Sequence, residues 1–334
     1  MLSVIYGCSG RELNEAERSF FRQADPLGFI LFERNCADPD QVRRLAADLR
    51  GCIGRNDAPI LIDQEGGRVA RLKPPHWRAR PAARRFAEMA HDDMEQAVEA
   101  TRLNARLIAA ELHDLGITVN CAPVLDVPQP DADPIIGDRA YGDTPQMVAV
   151  LGRAVCEGLL AGGVLPVIKH IPGHGRATVD SHKALPVVEP MPMDLRTIDF
   201  APFKALSNMP WAMTAHVIYR AVDAIMPATT SSSVIGGVIR GSIGFEGFLI
   251  SDDLSMKALY GNMRTRTEMA LKAGCDAVLH CNGDMAEMET IAAAASPLSF
   301  NAIMHLEYAE TMRRQPEPLD VADAESRLEK LLQR

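Results

Sequence analysis

The stretch LPVIKHIPGHGRATVDSH, residues 165–182, joins an apolar run to a loop of polar residues and glycines. Its opening LPVI is apolar on successive residues, as is typical of a parallel strand that is covered on both faces. The loop after it contains three histidines and one aspartate. A buried strand followed by a polar loop is how an α/β barrel builds its functional rim.

The same order recurs along the chain. Eight short runs, most of them followed by a segment of helical pattern, are candidate strands. They are LSVIY (2–6), GFILF (28–32), PILID (59–63), TVNCAPV (118–124), LPVIKH (165–170), WAMTAHV (211–217), GFLIS (247–251) and AVLH (277–280). Segments with helical composition and spacing lie at 38–50, 89–115, 147–160, 264–273 and 321–332.

Eight strands separated by helix-sized segments predict an α/β fold, a single (β/α)₈ TIM-type barrel. A doubly wound open sheet is the alternative. The 334 residues contain no Ser/Gly-rich linker or low-complexity tract, so residues 1–334 are expected to form a single catalytic TIM-barrel domain.

The formal net charge of −9, without a long basic run, argues against a nucleic-acid groove or an anionic membrane surface as partner. Seven scattered cysteines without CxxC spacing suggest free thiols in a reducing compartment. No signal-peptide pattern or membrane-length apolar stretch is present. We therefore expect a cytoplasmic protein.

Polar residues follow the apolar runs at the points where the runs stop. Asp63 to Arg68 follow PILI, Lys169-His170 follow LPVI, His216 follows AMTA, and Asp252-Asp253 follow GFLIS. In a barrel these points converge on one rim. Buried carboxylates and imidazoles are costly unless they are paired or used, so this repetition predicts a functional site there.

The loop at 169–182 has two interpretations from its residues alone. His170, His174, Asp180 and His182 are residue types that suit zinc, although their spacing lacks the HxH or HExxH pattern. Alternatively, Asp180 and His182 face the same way in an extended segment. The carboxylate could then hold one imidazole nitrogen and leave the other free for proton transfer.

The pattern KH-x-PGHG-x₄-DSH closely resembles glycoside hydrolase family 3, and specifically its bacterial β-N-acetylglucosaminidase branch. Further matching blocks follow in the family's order: GFILFERN (28–35), LIDQEGGRVARL (61–72), NCAPVLDV (120–127), IGDRAYG (136–142), MTAHVIY (213–219) and FLISDDLSM (248–256). Ile171 stands where the family often has Phe, a conservative apolar exchange.

The resemblance implies a role for each matching residue. Asp252 would be the nucleophile, and His182, paired with Asp180, would be the acid/base. Asp253 is the competing nucleophile, although capping of the following helix is the expected role. The substrate-binding residues implied are Asp63, Arg71, Arg139, Lys169 and His170.

The implied activity is that of a retaining exo-β-N-acetylglucosaminidase of cell-wall recycling. It would cleave terminal non-reducing GlcNAc from peptidoglycan fragments, the GlcNAc-1,6-anhydroMurNAc muropeptides, through a covalent glycosyl-enzyme intermediate. The partner would be a small carbohydrate, with no cofactor, metal, nucleic acid or membrane, and the enzyme would be a monomer. The alternatives are β-glucosidase or glycoside phosphorylase activity on the same fold, or a zinc-dependent barrel hydrolase.

Overall fold

The computed structural model describes residues 1–333 and contains a closed barrel of parallel strands. Around the barrel the strands follow the order β1-β12-β11-β9-β7-β6-β3-β2. Their bounds are β1 Leu2–Gly7, β2 Pro26–Leu31, β3 Ile60–Ile62, β6 Val119–Asn120, β7 Leu165–Ile171, β9 Trp211–Thr214, β11 Phe248–Asp253 and β12 Ala277–His280. Two pairs lie outside it: β4 Gln64–Gly66 with β5 Val69–Ala70, and β8 Val187–Val188 with β10 Ile218–Tyr219.

Helices connect the strands and surround the barrel. They are α1 Glu15–Ala24, α2 Pro39–Ile53, α3 Ala83–Asp92, α4 Met94–Asp114, α5 Pro145–Ala161, α6 Pro192–Asp194, α7 Ala201–Ala205, α8 Met263–Ala273, α9 Met285–Ala294, α10 Phe300–Thr311 and α11 Val321–Leu332. A π-helical segment, Ser233–Ile243, precedes β11. The predicted TIM-type barrel is confirmed, and the open-sheet alternative is wrong because β1 pairs with both β2 and β12.

The helix predicted at 89–115 is two helices in the structure. Asp93 lies between α3 and α4 in an extended conformation, and its carboxylate accepts a hydrogen bond from the Gln96 N–H at 3.0 Å. An aspartate at this position satisfies a backbone donor that the first turn leaves without a partner. The prediction of one continuous helix was therefore wrong at this residue.

The strand predicted at 118–124 is shorter than its sequence suggests. Continuous pairing covers only Val119–Asn120, and Val124 then makes an isolated bridge to Lys169. Pro123 stands between them and has no N–H to donate to a neighbouring strand.

Two apolar layers follow from the alternation along the strands. On β11, Phe248 and Ile250 pack with residues of the other barrel strands, whereas Leu249 packs with the helices. Trp211 and Phe248 pack against each other inside the barrel, with their ring centroids 4.6 Å apart and their planes tilted by 48°. The barrel is a packed core, so a substrate has access only at its ends.

Within residues 1–333, no helix is both long enough and apolar enough to cross a membrane. All seven cysteines are free thiols, as the sequence predicted.

Candidate active site

A pocket of about 260 Å³ lies where the loops leave the carboxyl ends of the strands. Seven predicted site residues line it: Asp63, Arg71, Arg139, Lys169, His170, His182 and Asp252. The eighth, Asp180, contacts His182. The structure therefore brings together residues from four segments of the chain that are far apart in the sequence.

Five charged side chains form a continuous series, here called the ion-pair chain: Arg71, Asp63, Lys169, Glu65 and Arg139. The Lys169 ammonium lies 2.8 Å from an Asp63 oxygen and 2.7 Å from a Glu65 oxygen. Arg71 donates to the other Asp63 oxygen at 3.0 Å. Arg139 binds Glu65 through two nitrogens, at 2.8 and 2.9 Å. Such two-point contacts fix the orientation of the guanidinium group relative to the carboxylate, in addition to pairing their charges.

The ion-pair chain keeps its members charged at neutral pH. Burial by itself would raise the pKa of Asp63, but Lys169 and Arg71 outweigh it and hold that pKa well below its ordinary value. Arg139 and Lys169 likewise lower the pKa of Glu65 to about 2, against the effect of burial. With three cations and two carboxylates, the chain has an excess of one positive charge.

Glu65 was not among the predicted site residues. It lies two positions after Asp63, and both carboxylates contact Lys169. Residues i and i+2 of an extended segment face the same way, so Asp63-Gln64-Glu65 contained a signal that could have identified it.

Gln64 holds in place the hairpin formed by β4 and β5, which is followed directly by Arg71. Its backbone exchanges two hydrogen bonds, each 3.0 Å long, with the Asn120 side chain. Its own amide binds both the N–H and the C=O of Leu72, and it also accepts from the Arg71 N–H. Gln64 and Asn120 are buried, so the hairpin is held by satisfied polar groups.

Asp126, also missed at the sequence level, organises the turn after β7. One of its oxygens lies 2.8 Å from Nδ1 of His170, and the other accepts the His174 N–H at 2.6 Å. Asp126 is fully buried. Its carboxylate therefore fixes both ends of the Pro-Gly turn between the two histidines.

His174 contacts the loop that carries His182. Its Nε2 lies 3.2 Å from the Ser181 hydroxyl. Burial lowers the pKa of His174 to about 4, although the charge of Asp126 works in the opposite direction. The ring is therefore neutral at physiological pH and acts as a hydrogen-bonding partner.

Asp180 holds His182 at two points. The same carboxylate oxygen accepts from the His182 backbone N–H and lies 2.9 Å from ring Nδ1. These contacts with His182 lower the pKa of Asp180 against the effect of burial, so the carboxylate is ionised. A carboxylate only accepts, so Nδ1 carries a proton and Nε2 is left to exchange one.

Asp252 is the penultimate residue of β11 and lines the pocket. Its carboxylate accepts the Asp253 N–H at 2.8 Å. Burial by itself would raise the pKa of Asp252, but His216 and His170, followed by the Asp253 N–H and His182, bring it below its ordinary value. Asp252 is therefore an ionised carboxylate facing the cavity, as a nucleophile must be.

Asp253 does not cap the following helix as predicted. Helix α8 begins only at Met263 and is capped by Asn262. The Asp253 carboxylate instead accepts from the N–H groups of Ser255 and Cys281, at 3.0 and 3.2 Å. These bonds join the end of β11 to the end of β12.

His216 supports the same strand end. Its Nε2 lies 3.0 Å from the Asp253 carbonyl, and its Nδ1 lies 2.7 Å from the Thr229 hydroxyl. Burial lowers the pKa of His216. Because a carbonyl only accepts, Nε2 of His216 carries a proton and donates it to Asp253.

The chain has extensive similarity to known proteins. Residues 2–310 match the family model described as the N-terminal domain of glycosyl hydrolase family 3. A β-hexosaminidase of Alkalilimnicola ehrlichii is 39% identical over 283 residues, which cover 84% of this chain and 80% of that protein. A β-hexosaminidase of Pseudomonas aeruginosa is 36% identical over 332 residues, covering 96% and 97%.

A solved structure of similar size has the same fold. It is the crystal structure of NagZ from Neisseria gonorrhoeae in complex with N-trifluoroacetyl-D-glucosamine. The two share 30% sequence identity and a TM-score of 0.89, over 99% of this chain and 98% of that one. The chain therefore belongs to glycosyl hydrolase family 3 and, within it, to the β-hexosaminidases.

Proposed function

We propose that this protein is a retaining exo-β-N-acetylglucosaminidase that removes terminal non-reducing GlcNAc from peptidoglycan fragments. Because the chain belongs to the β-hexosaminidases, we propose the β-glycosidic bond of the terminal GlcNAc as the bond that is cleaved. The observation that carries the mechanism is one pocket lined by both an ionised carboxylate, Asp252, and an imidazole, His182, whose other nitrogen is held by Asp180.

The proposed reaction has two displacements. In the first, an Asp252 oxygen attacks the anomeric carbon, the bond to the leaving oxygen breaks, and the proton on His182 Nε2 passes to that oxygen. In the second, Nε2 takes a proton from water, and the water oxygen displaces Asp252 from the sugar. Two inversions give net retention, and His182 ends with the proton it began with.

The ion-pair chain supplies the sugar-binding groups in this proposal. Asp63, Arg71, Arg139 and Lys169, together with His170, offer charged donors and acceptors to a ring whose surface is mostly hydroxyl groups. Their mutual contacts fix them before substrate arrives, so little ordering is left for the binding step.

The natural substrate is part of the proposal. The resemblance to the bacterial branch supports muropeptides that carry GlcNAc-1,6-anhydroMurNAc, and hence a role in cell-wall recycling. On the same basis we propose a cytoplasmic monomer that acts on a small carbohydrate through one catalytic domain, residues 1–334, without nucleic-acid or membrane partners.

The test is turnover of 4-nitrophenyl β-N-acetylglucosaminide, with azide added to rescue inactive variants. Asp252→Ala should lose activity on the order of 10⁴-fold, and azide should then give the α-glycosyl azide. His182→Ala should lose about 10²-fold or more, and azide should give the β-glycosyl azide. Asp253→Asn, a change in the neighbouring carboxylate, should retain far more activity than Asp252→Ala.

Other outcomes identify the alternatives. Asp252→Ala with near wild-type turnover would mean that another group is the nucleophile. Preference for the aryl glucoside would indicate a β-glucosidase, and sugar phosphate formed in phosphate buffer would indicate a phosphorylase. Within residues 1–333, no three His, Cys, Asp or Glu side chains are grouped as metal ligands. Loss of activity with a chelator, restored by zinc, would nevertheless favour the zinc-dependent hydrolase.

A further inference from the structure

Phe32 lines the pocket at the end of β2, with two guanidinium groups beside its ring. The central carbon of Arg71 lies 4.9 Å from the ring centroid, and that of Arg34 lies 5.1 Å from it. These distances are within the range of cation–π attraction. The three side chains, here called the Phe32 wall, form one packed unit.

The backbone under this wall is fixed by a buried side chain. Asn35 is fully buried, and its carbonyl oxygen accepts the Phe32 N–H at 2.9 Å. Its amide nitrogen donates to the carbonyls of Cys8 and Gly10, at 3.1 and 2.7 Å. The loop after β1 therefore fixes the position of Phe32.

Both arginines of the wall are also anchored. Arg34 donates to the carbonyl of Cys8 at 3.0 Å and to the carbonyl of Cys281. Arg71 belongs to the ion-pair chain through Asp63. The wall thus connects the ends of four neighbouring barrel strands, β12, β1, β2 and β3, and has little freedom to move aside.

The wall lies across the pocket from the reacting groups. In the barrel order, β2 is three strands from β7, whose loop carries His182, and three strands from β11, which carries Asp252. In a pyranose ring, C4 is the atom opposite the anomeric carbon. A sugar whose anomeric carbon faces Asp252 and His182 consequently points C4 toward Phe32.

We infer that the Phe32 wall is the specificity-determining element that limits this enzyme to terminal sugars. It occupies the space that a second sugar on the 4-hydroxyl would need. This inference rests on the proposed function. To that function it adds the residues that prevent a further sugar on the 4-hydroxyl of the bound sugar. It predicts that removing these side chains lets the enzyme release a disaccharide in part of its cleavages.

The experiment uses 4-nitrophenyl β-chitobioside, in which a second GlcNAc is attached to the 4-hydroxyl of the aryl-linked sugar. The wild type should release GlcNAc first and nitrophenol only after a lag. Phe32→Ala and Phe32→Ala/Arg34→Ala should release chitobiose together with nitrophenol from the start. The fraction of first cleavages that give chitobiose should rise at least about tenfold. Phe300→Ala, which removes an exposed phenylalanine on α10, is the matched control and should behave as the wild type.

A chitobiose fraction that stays at the wild-type value in both variants, while they still cleave the aryl monosaccharide, would overturn the inference. If the alanine variants prove too unstable, Phe32→Val shortens the wall by less and should give an intermediate fraction. A Phe32→Val variant that gives the same chitobiose fraction as the wild type would also contradict the inference. A wild type that cleaves only the aryl glucoside would instead contradict the proposed function, and the aryl cellobioside would then test the wall by the same measurement.

Discussion

At the scale of single residues, the pairing of Asp180 with His182 decides what the imidazole can do. The carboxylate accepts from Nδ1 and so selects the tautomer that leaves Nε2 free for the proposed proton transfer. It also stabilises the ring when the ring is positively charged. An amide in its place could donate to Nδ1 and favour the wrong tautomer.

Asp180→Asn should therefore slow turnover by about 10²-fold or more. The loss should be largest for substrates with poor leaving groups, because these depend most on protonation of the leaving oxygen. The measurement is kcat/KM for a series of aryl β-N-acetylglucosaminides with phenols of different acidity. Lys183→Ala is the control, because Lys183 lies 3.8 Å from the other Asp180 oxygen and should change little. Equal losses across the series would contradict this role.

Glu65→Gln should raise KM and reduce stability. Glu65 is the carboxylate between Lys169 and Arg139, and its neutralisation leaves these cations with Asp63 as the remaining carboxylate of the ion-pair chain. Breaking a buried pair by removing one partner costs about 3–5 kcal/mol. Urea unfolding and substrate saturation curves measure the two effects. Glu99→Gln removes one carboxylate from a more exposed pair with Arg327 and should cost far less. Similar losses in both variants would contradict the argument.

The sequence located residues that stand directly after strands, such as Asp63 and Asp252, because a charge next to an apolar run is conspicuous. Their roles came from the family motif. Asp126 was missed although it lies in the apolar run APVLDV. A carboxylate there implies a buried partner. The partners, His170 and the His174 N–H, belong to another strand and its loop, and only the fold brings them near.

At the scale of elements, the junction of α3 and α4 is set by one cap. Asp93 lies on the surface and makes its bond to the first turn of α4. Asp93→Ala should lower the free energy of unfolding by about 0.5–2 kcal/mol and leave kcat/KM unchanged, because the junction does not line the pocket. Urea denaturation is the measurement. Asp92→Ala, a change in the exposed neighbour, should have little effect, and a larger loss from Asp92→Ala would contradict the assignment of the cap.

Strands were easier to predict than helices in this chain. Each barrel strand is nearly all buried, so apolar side chains follow one another without interruption. Helix α10 was not predicted. It buries little and exposes Phe300, Ile303 and Met304, so its apolar residues do not mark an inward face. Helix α1 was also missed, although Asn14 and Glu17 form a capping box at its start.

At the scale of the whole molecule, buried His174 links stability to pH. Its pKa is about 4 in the folded state, against about 6.5 for an unperturbed histidine. Between these values the unfolded chain binds a proton that the folded chain does not, so stability falls as pH decreases through this window. The full contribution is up to about 3 kcal/mol.

His174→Gln should therefore flatten the dependence of unfolding free energy on pH between about 6.5 and 4, while the ordinary loss of packing lowers stability at every pH. Urea unfolding at several pH values measures the slope. His91→Gln, at an exposed histidine of α3, is the control and should leave the slope unchanged. The linkage would be refuted by a His174→Gln slope equal to that of the wild type.

The ion-pair chain also constrains how this barrel can be re-engineered. Its members come from the segment after β3, the loop after β6 and strand β7, and every member except Arg71 pairs with a residue of another segment. Exchange of single rim loops is the usual route to new chemistry on a barrel. Here the exchange of only one of these segments would leave a buried charged side chain without its ion-pair partner. Recombination with a distant family member should succeed only if the three segments are transferred as one block.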